Sequence, residues 1–198
     1  NLEAYVFVNN SAKEHFESIS NVTGKCAMPQ YFSLGYHQSR YSYNDQQDIL
    51  LVNQKFNEHE IPYDSITLDI DHTNEMRYFT WNYDLYPDPI AMQESLERDG
   101  RKLITIADPH IKVDDKYKVY QGAALGDLCV KDKDSNMFVG ECWPGESVYL
   151  DFLNEETQEF WASCYAYENY IDSTPNLFAW NDMNDPSVFE EKDKTLPK

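Results

Sequence analysis

The chain of 198 residues is 41 % hydrophobic, which is enough for one domain with a sizeable core. Its 35 acidic and 16 basic residues give a formal net charge of −19, which disfavours nucleic acid and anionic membrane surfaces as partners and favours a neutral substrate. No apolar run reaches the length of a membrane span. Because the chain begins at Asn1 without an initiator Met, we expect an internal piece of a longer protein.

Short apolar runs alternate with helix-like stretches from residue 31 onward. Residues 31–37 (YFSLGYH) predict a first strand, and residues 44–62 predict a helix with a polar cap at its start and a proline at its end. Residues 65–71 (SITLDID) predict a second strand. A proline near the start and a glycine after the end indicate a helix over residues 89–100, and residues 102–110 predict a third strand.

The second half of the chain continues the pattern after a long interruption. Residues 111–153 indicate an irregular insertion with Gly and Asp turns. A capping Asn and acids in the first turn predict a helix over residues 154–170, and residues 176–180 (NLFAW) predict a fourth strand. Strands separated by helices imply βαβ units and a parallel sheet.

Polar side chains gather where each predicted strand meets its loop. These are His37, Arg40, Asp69, Asp71, Asp108, His110, Asp182 and Asp185. The same edge carries the active site of a (β/α)₈ barrel and the ligand crevice of an open doubly wound sheet, so the pattern alone leaves both folds open. Four such units make half of a barrel of about 250 residues. We expect residues 1–30 to be a lead-in segment from a preceding domain and residues 31–198 to be the N-terminal half of the barrel.

Most catalytic motifs are absent from the sequence. It has no glycine-rich phosphate loop, no G-x-S-x-G elbow and no H-E-x-x-H helix, and its histidines are not at metal-ligand spacings. The four cysteines are scattered, which indicates buried free thiols rather than a zinc site or a disulfide framework: Cys26, Cys129, Cys142 and Cys164. A metal site assembled across several strands stays open on these grounds, whereas a double displacement by paired carboxylates would need no metal and no organic cofactor.

Paired carboxylates remain as the candidate chemistry. A retaining glycosidase uses one ionised carboxylate as nucleophile and a second carboxyl group as acid. Asp69 and Asp182 both follow predicted strands. On these residues alone, an Asp at a strand end is more often a helix cap or a loop hydrogen-bonding group.

A family resemblance favours the catalytic interpretation. The run WNDMND at residues 180–185 is similar to the W-x-D-M-N-E signature of glycoside hydrolase family 31. Further runs of the chain agree in order and spacing: FSLGYHQSR (32–40), LDIDHTNEMRYFTW (68–81), GRKLITIADPHIKVD (100–114), CWPG (142–145) and NLFAWNDMNDPSVF (176–189). They resemble the branch of this family that trims N-linked glycans in the endoplasmic reticulum.

The resemblance implies roles for individual residues. Asp182 would be the nucleophile that forms a glycosyl–enzyme ester, and Asp69 would accept hydrogen bonds from hydroxyl groups of the terminal glucose. Phe189 would flank the neighbouring sugar. The walls of the glucose pocket would be Tyr41, Ile106, Trp143, Trp180 and Met183.

The resemblance also implies a substrate and a setting. It implies a retaining exo-α-glucosidase that removes terminal α-linked glucose from an oligosaccharide or N-glycan in the lumen of the endoplasmic reticulum, with a regulatory β subunit as partner. The general acid/base of the family lies in later strands, so we expect these 198 residues alone to be inactive.

Three departures from the family pattern leave alternatives open. Tyr41 stands where the family has Trp in SRWNY, Asp185 replaces the Glu of the signature, and residues 145–152 (GESVYLDF) replace a run closer to GSAGYPDF. The first two motivate a degenerate, non-catalytic family member that binds glycans. A metal-dependent barrel hydrolase is a third hypothesis, and it requires strand-end histidines that converge on one ion.

Overall fold

A computed structural model describes residues 3–197 of the chain. The chain divides into two compact units, residues 1–34 and residues 35–198. In the first unit, helix α1 (Ala12–Thr23) begins at the N-cap Ser11, whose side chain accepts a hydrogen bond from the Glu14 amide. A short 3₁₀ turn follows at Tyr31–Leu34. No residue of α1 is buried.

A four-stranded parallel sheet forms the centre of the second unit. Its strands are β1 (His37–Arg40), β2 (Ser65–Leu68), β3 (Lys102–Ala107) and β7 (Leu177–Asn181), and they lie in that order. The register places Ser39 beside Thr67 and Thr67 beside Ile104. All carboxyl ends therefore meet at one edge, and the α/β fold with four barrel-type strands is confirmed.

Three capped helices pack beside this sheet. Helix α2 (Gln46–Glu58) is capped by Asp45, and helix α3 (Pro89–Arg98) is capped by Asp88 with a proline in its first turn. Helix α5 (Glu155–Cys164) begins at the N-cap Asn154. Each cap accepts a hydrogen bond from an amide of the first turn, which satisfies a donor that has no partner within the helix. The predicted helices are confirmed, with α5 ending earlier than expected.

Apolar side chains of the sheet and helices form one main core. Ile66, Leu68 and Leu103 of the sheet are at most 1 % exposed, as are Ile49 of α2 and Met92 of α3. All five belong to one contiguous cluster. Burial of this apolar face supplies the main driving force for packing the helices against the strands.

The insertion between β3 and β7 is ordered, so the prediction of an irregular stretch over residues 111–153 was wrong. It contains β4 (His110–Lys112), β5 (Val139–Cys142) and β6 (Gly145–Tyr149), which form an antiparallel sheet in the order β4-β6-β5. Helix α4 (Lys118–Leu125) lies between β4 and β5. Short strands of this kind are stabilised by pairing with distant residues, which a local sequence pattern does not reveal.

The first predicted strand was also misplaced. Residues 31–34 form the 3₁₀ turn instead of a strand. We expected His37 and Arg40 to follow the strand, but they are the first and last residues of β1. The position of β1 is determined by its pairing with β2, where His37 lies beside Ser65. All four cysteines are free, but Cys26 is exposed rather than buried.

Candidate active site

A cavity of about 330 Å³ opens at the carboxyl edge of the parallel sheet. This volume lies at the lower end of the range of about 300–1,000 Å³ that is typical of small-molecule sites. Its lining combines three carboxylates with apolar and aromatic walls: Tyr41, Asp69, Ile70, Ile106, Asp108, Trp143, Asp182 and Met183. Six of the eight residues named from the family resemblance are therefore brought together here.

Asp182 follows the last residue of β7 and is exposed to the cavity. The next residue, Met183, has a φ of 57°, in the left-handed region that side chains with a Cβ rarely adopt. Backbone strain of this kind is concentrated at functional sites, where the surrounding structure maintains it. The chain therefore turns directly after Asp182, the residue that would carry the nucleophile.

Asp69 lies directly after β2 and is half-buried. Its Oδ1 accepts a hydrogen bond of 2.7 Å from the amide of Ile70. Burial raises the pKa of Asp69, the hydrogen bond from Ile70 lowers it, and the charges of Asp71 and Asp182 raise it. Asp69 and Asp182 thus interact electrostatically across one cavity.

Tyr41 occupies the loop after β1 and is 64 % exposed. Its neighbour Ser42 has a φ of 68°, and the Ser42 amide donates a hydrogen bond of 2.9 Å to Oδ2 of Asp71. Arg40 donates a further hydrogen bond to the Ser42 carbonyl. Asp71, in the 3₁₀ turn Ile70–His72 that follows β2, therefore holds the loop that carries the smaller Tyr41 wall.

Trp143 projects from the tip of the β5–β6 hairpin. Cys142 pairs with Gly145, so Trp143 and Pro144 form a two-residue loop, and Gly145 has a φ of 92°. The ring of Phe189 contacts Trp143 edge-on, with centroids 4.6 Å apart at 80°. The inserted sheet thus supplies one wall of the cavity.

The segment after Asp182 is attached to this inserted sheet. The Phe189 amide donates to the Glu141 carbonyl at 2.8 Å, and the Tyr149 hydroxyl donates to the Ser187 carbonyl at 2.7 Å. Val188 is buried in a second core cluster with Phe138 and Tyr149. These contacts place Phe189 behind Trp143 rather than in the lining of the cavity.

Like Phe189, two residues of the signature at positions 180–185 lie outside the cavity lining. Trp180 pairs with Ile106 in the register and lines an adjoining groove on the sheet face that contains Thr67 and Ile104. Asp185 is exposed, and its Oδ2 accepts a hydrogen bond of 2.8 Å from Ser187. The shortening of the signature Glu to Asp therefore affects a turn and not the cavity wall.

Asp108 was noted at a strand end in the sequence but was not selected as a site residue. Its side chain is fully buried, and its Oδ2 accepts a hydrogen bond of 2.6 Å from the Tyr78 hydroxyl. Burial raises the pKa of Asp108, the bond from Tyr78 lowers it, and the charges of Asp182 and Asp69 raise it, to about 6. Its position at the end of the third predicted strand, before Pro109, was the signal that the sequence offered.

A larger groove of about 750 Å³ lies on the inserted sheet and is lined by residues such as Lys131, Phe138 and Leu196. It contains none of the strand-end carboxylates, so the smaller cavity is the candidate active site. Within residues 3–197, no three His, Cys, Asp or Glu side chains are grouped so that they could hold a metal ion. None of the helices in the described part of the chain is long and apolar enough to cross a membrane.

Parallel strands that present carboxylates at their carboxyl ends beside aromatic walls are the arrangement expected of a barrel-type glycoside hydrolase. A family model described as "Glycosyl hydrolases family 31 TIM-barrel domain" matches residues 26–198. The chain belongs to glycoside hydrolase family 31.

Curated relatives agree with this assignment. The chain is 46 % identical over 197 residues to a "Probable glucan 1,3-alpha-glucosidase" of Arabidopsis thaliana, covering 100 % of this chain and 21 % of the relative. It is 46 % identical to "Neutral alpha-glucosidase C" of Homo sapiens, covering 100 % and 22 %. The chain thus spans about a fifth of the length of these relatives.

A solved structure shares the fold. The catalytic subunit in a crystal structure of the "ER glucosidase II heterodimeric complex" is 44 % identical to the chain, with a TM-score of 0.95 over 97 % of this chain and 21 % of that one. A second structure, the "glucosidase II alpha subunit (DNJ-bound from)", has the same identity, TM-score and coverage.

Proposed function

We propose that this chain is part of a retaining exo-α-glucosidase that removes terminal α-linked glucose, with Asp182 as its nucleophile. One observation carries the proposal: Asp182, directly after β7, shares a cavity of about 330 Å³ with Asp69 at the carboxyl edge of the parallel sheet. The relatives named α-glucosidases and the family of the chain support the same reaction.

In the first step, a carboxylate oxygen of Asp182 attacks the anomeric carbon of the terminal glucose. The glycosidic C–O bond breaks, and the leaving oxygen takes a proton from an acid outside this chain. In the second step, water attacks the anomeric carbon, loses a proton to the same group and releases Asp182 from the ester. Two inversions at one carbon give net retention.

Asp69 and the cavity walls would bind the glucose ring. A carboxylate accepts stronger hydrogen bonds than a neutral group, so Asp69 would discriminate among sugars by the orientation of their hydroxyl groups. Trp143, Ile106 and Met183 offer apolar surface to the C–H faces of the ring. Tyr41, which is largely exposed, adds an aromatic ring with a hydroxyl group to the lining.

The N-glycan substrate, the lumen of the endoplasmic reticulum and a regulatory β subunit form the finer part of this proposal. They are supported by the similarity to the glucosidase II catalytic subunit, whose structure was solved with the binding domain of its regulatory subunit. The net charge of −19 suits a neutral glycan.

The test is covalent trapping of the full-length protein with a fluorinated glucosyl reagent, followed by peptide mapping. We expect the label on Asp182, loss of the label in Asp182→Asn, and normal labelling in Asp185→Asn, which alters a carboxylate of the same loop outside the cavity. A label on another residue refutes the assignment. Glycan binding without labelling or turnover identifies the non-catalytic family member instead.

A further inference from the structure

A buried polar network lies behind the cavity and has no part in the reaction as described. It joins Asp108 at the end of β3, Tyr78 in the loop after β2 and His110 in β4. The Tyr78 hydroxyl lies 2.6 Å from Oδ2 of Asp108 and 2.7 Å from Nε2 of His110. All three side chains are 0 % exposed.

The number of available protons determines the direction of these hydrogen bonds. Burial lowers the pKa of His110 to about 4, so its ring is neutral near pH 7 and carries one N–H. Because the Tyr78 hydroxyl donates to Asp108, its oxygen is free to accept from Nε2–H of His110. Within residues 3–197, Nδ1 of His110 has no hydrogen-bond partner, which fits an unprotonated nitrogen. The chain of donors therefore runs from His110 through Tyr78 to Asp108.

The second oxygen of Asp108 has no such support. Oδ1 is sealed from solvent and has no hydrogen-bond partner among the described residues, although the side chain lines the cavity with Asp182 and Asp69. A buried carboxylate with one oxygen unpaired is costly, and such groups are retained mainly where they serve a function.

We propose that Asp108 is a positioning residue for the reaction: its carboxylate, fixed by Tyr78 and His110, assists the attack of Asp182 by its negative charge. This inference rests on the proposed function. When Asp182 forms the ester it loses its charge, while positive charge develops on the sugar ring. A fixed negative charge nearby therefore raises the energy of the ionised nucleophile relative to the transition state.

The charges around Asp108 lead to a defined pH dependence. The groups that face it are Asp69 after β2, Asp182 after β7, Tyr78, His110 and the thiol of Cys142 in β5. The pKa of Asp108 is raised to about 6, so the charge is present above this pH and is lost as the pH falls through it. The first chemical step should slow over the same interval.

The experiment measures the rate of covalent trapping by the fluorinated glucosyl reagent as a function of pH in the full-length protein. For Asp108→Asn, which keeps an acceptor for Tyr78, we expect a rate about ten-fold lower at pH 7 and loss of the acidic limb near pH 6. For Tyr78→Phe, which removes the donor that lowers the pKa of Asp108, the limb should move to higher pH.

Tyr117→Phe is the matched control. Tyr117 is also a buried tyrosine, and its hydroxyl donates to the Tyr78 carbonyl at 3.1 Å without contacting Asp108. It should lower stability and leave the acidic limb in place. An unchanged limb in Asp108→Asn or Tyr78→Phe, with the label still on Asp182, overturns this inference and leaves the proposed function standing. If Asp108→Asn does not fold, the direction in which Tyr78→Phe shifts the acidic limb decides whether the inference holds. Absence of a label on Asp182 in the wild type refutes the proposed function instead.

Discussion

The contact between Phe189 and Trp143 gives a sharp test of how the cavity wall is held. The family resemblance implies that Phe189 flanks the neighbouring sugar, and in the structure its ring packs edge-on against Trp143, with centroids 4.6 Å apart. Trp143 is 50 % exposed and lies at the tip of a two-residue hairpin loop. Removal of the Phe189 ring should therefore loosen the Trp143 wall.

The size of the effect follows from the geometry of the pair. Edge-to-face aromatic pairs contribute about 0.5–1.5 kcal/mol beyond the burial of their area. Since 1.4 kcal/mol is a factor of ten in an equilibrium constant, the full loss of this pair in the free protein corresponds to about two- to twelve-fold. Phe189→Leu should therefore weaken substrate binding by at most about twelve-fold. Leucine keeps an apolar side chain against the inserted sheet, so the loss reports the ring contact.

A double-mutant cycle in the full-length protein separates the two explanations. KM for a glucose-terminated oligosaccharide is measured for the wild type, Phe189→Leu, Trp143→Leu and the double variant. If Phe189 acts through Trp143, its substitution should have little further effect once Trp143 is replaced. Effects that add fully in the double variant would refute this reasoning and favour direct contact of Phe189 with the sugar.

Two further substitutions test local features of the fold through the thermal unfolding midpoint of the protein. Ser42 has a φ of 68° and is exposed, and Asn tolerates this left-handed region better than other residues with a Cβ. Ser42→Asn should therefore raise the free energy of unfolding by about 0.5 kcal/mol, whereas Ser42→Ala should not. A lower unfolding midpoint for Ser42→Asn would contradict the strain argument. Gln93 is fully buried, donates to the Asp172 carbonyl and accepts from the Thr174 amide. Gln93→Leu should lower the free energy of unfolding by on the order of 3 kcal/mol, because it leaves these backbone groups unpaired. The control is Gln54→Leu at an exposed position, and an equal loss there would show that the buried hydrogen bonds are not the cause.

Local sequence signals were sufficient for the regular part of the fold. Polar caps placed α2 and α5, while Pro89 and Gly100 placed α3, because a cap or a helix-ending residue acts on backbone groups within its own turn. The parallel sheet followed from the alternation of strands and helices.

The candidate site was predictable only through the family resemblance. The sequence pattern placed Asp69 and Asp182 at the ends of strands, but a lone Asp in that position is more often a cap. Asp69 is in fact such a cap for the 3₁₀ turn Ile70–His72, and it lines the cavity as well. A structural and a functional interpretation of one residue are therefore compatible.

The sequence by itself determined three of the helices and the parallel strand units, and the family resemblance added six of the residues that line the cavity. Only the tertiary structure decided that residues 110–149 contain an antiparallel sheet, that Phe189 lies behind Trp143 and that Asp108 joins the two other carboxylates. The reason is the range of the interactions. Caps and periodicity act within a few residues, whereas strand pairing, ring contacts and the burial of a charge depend on groups far apart in the chain.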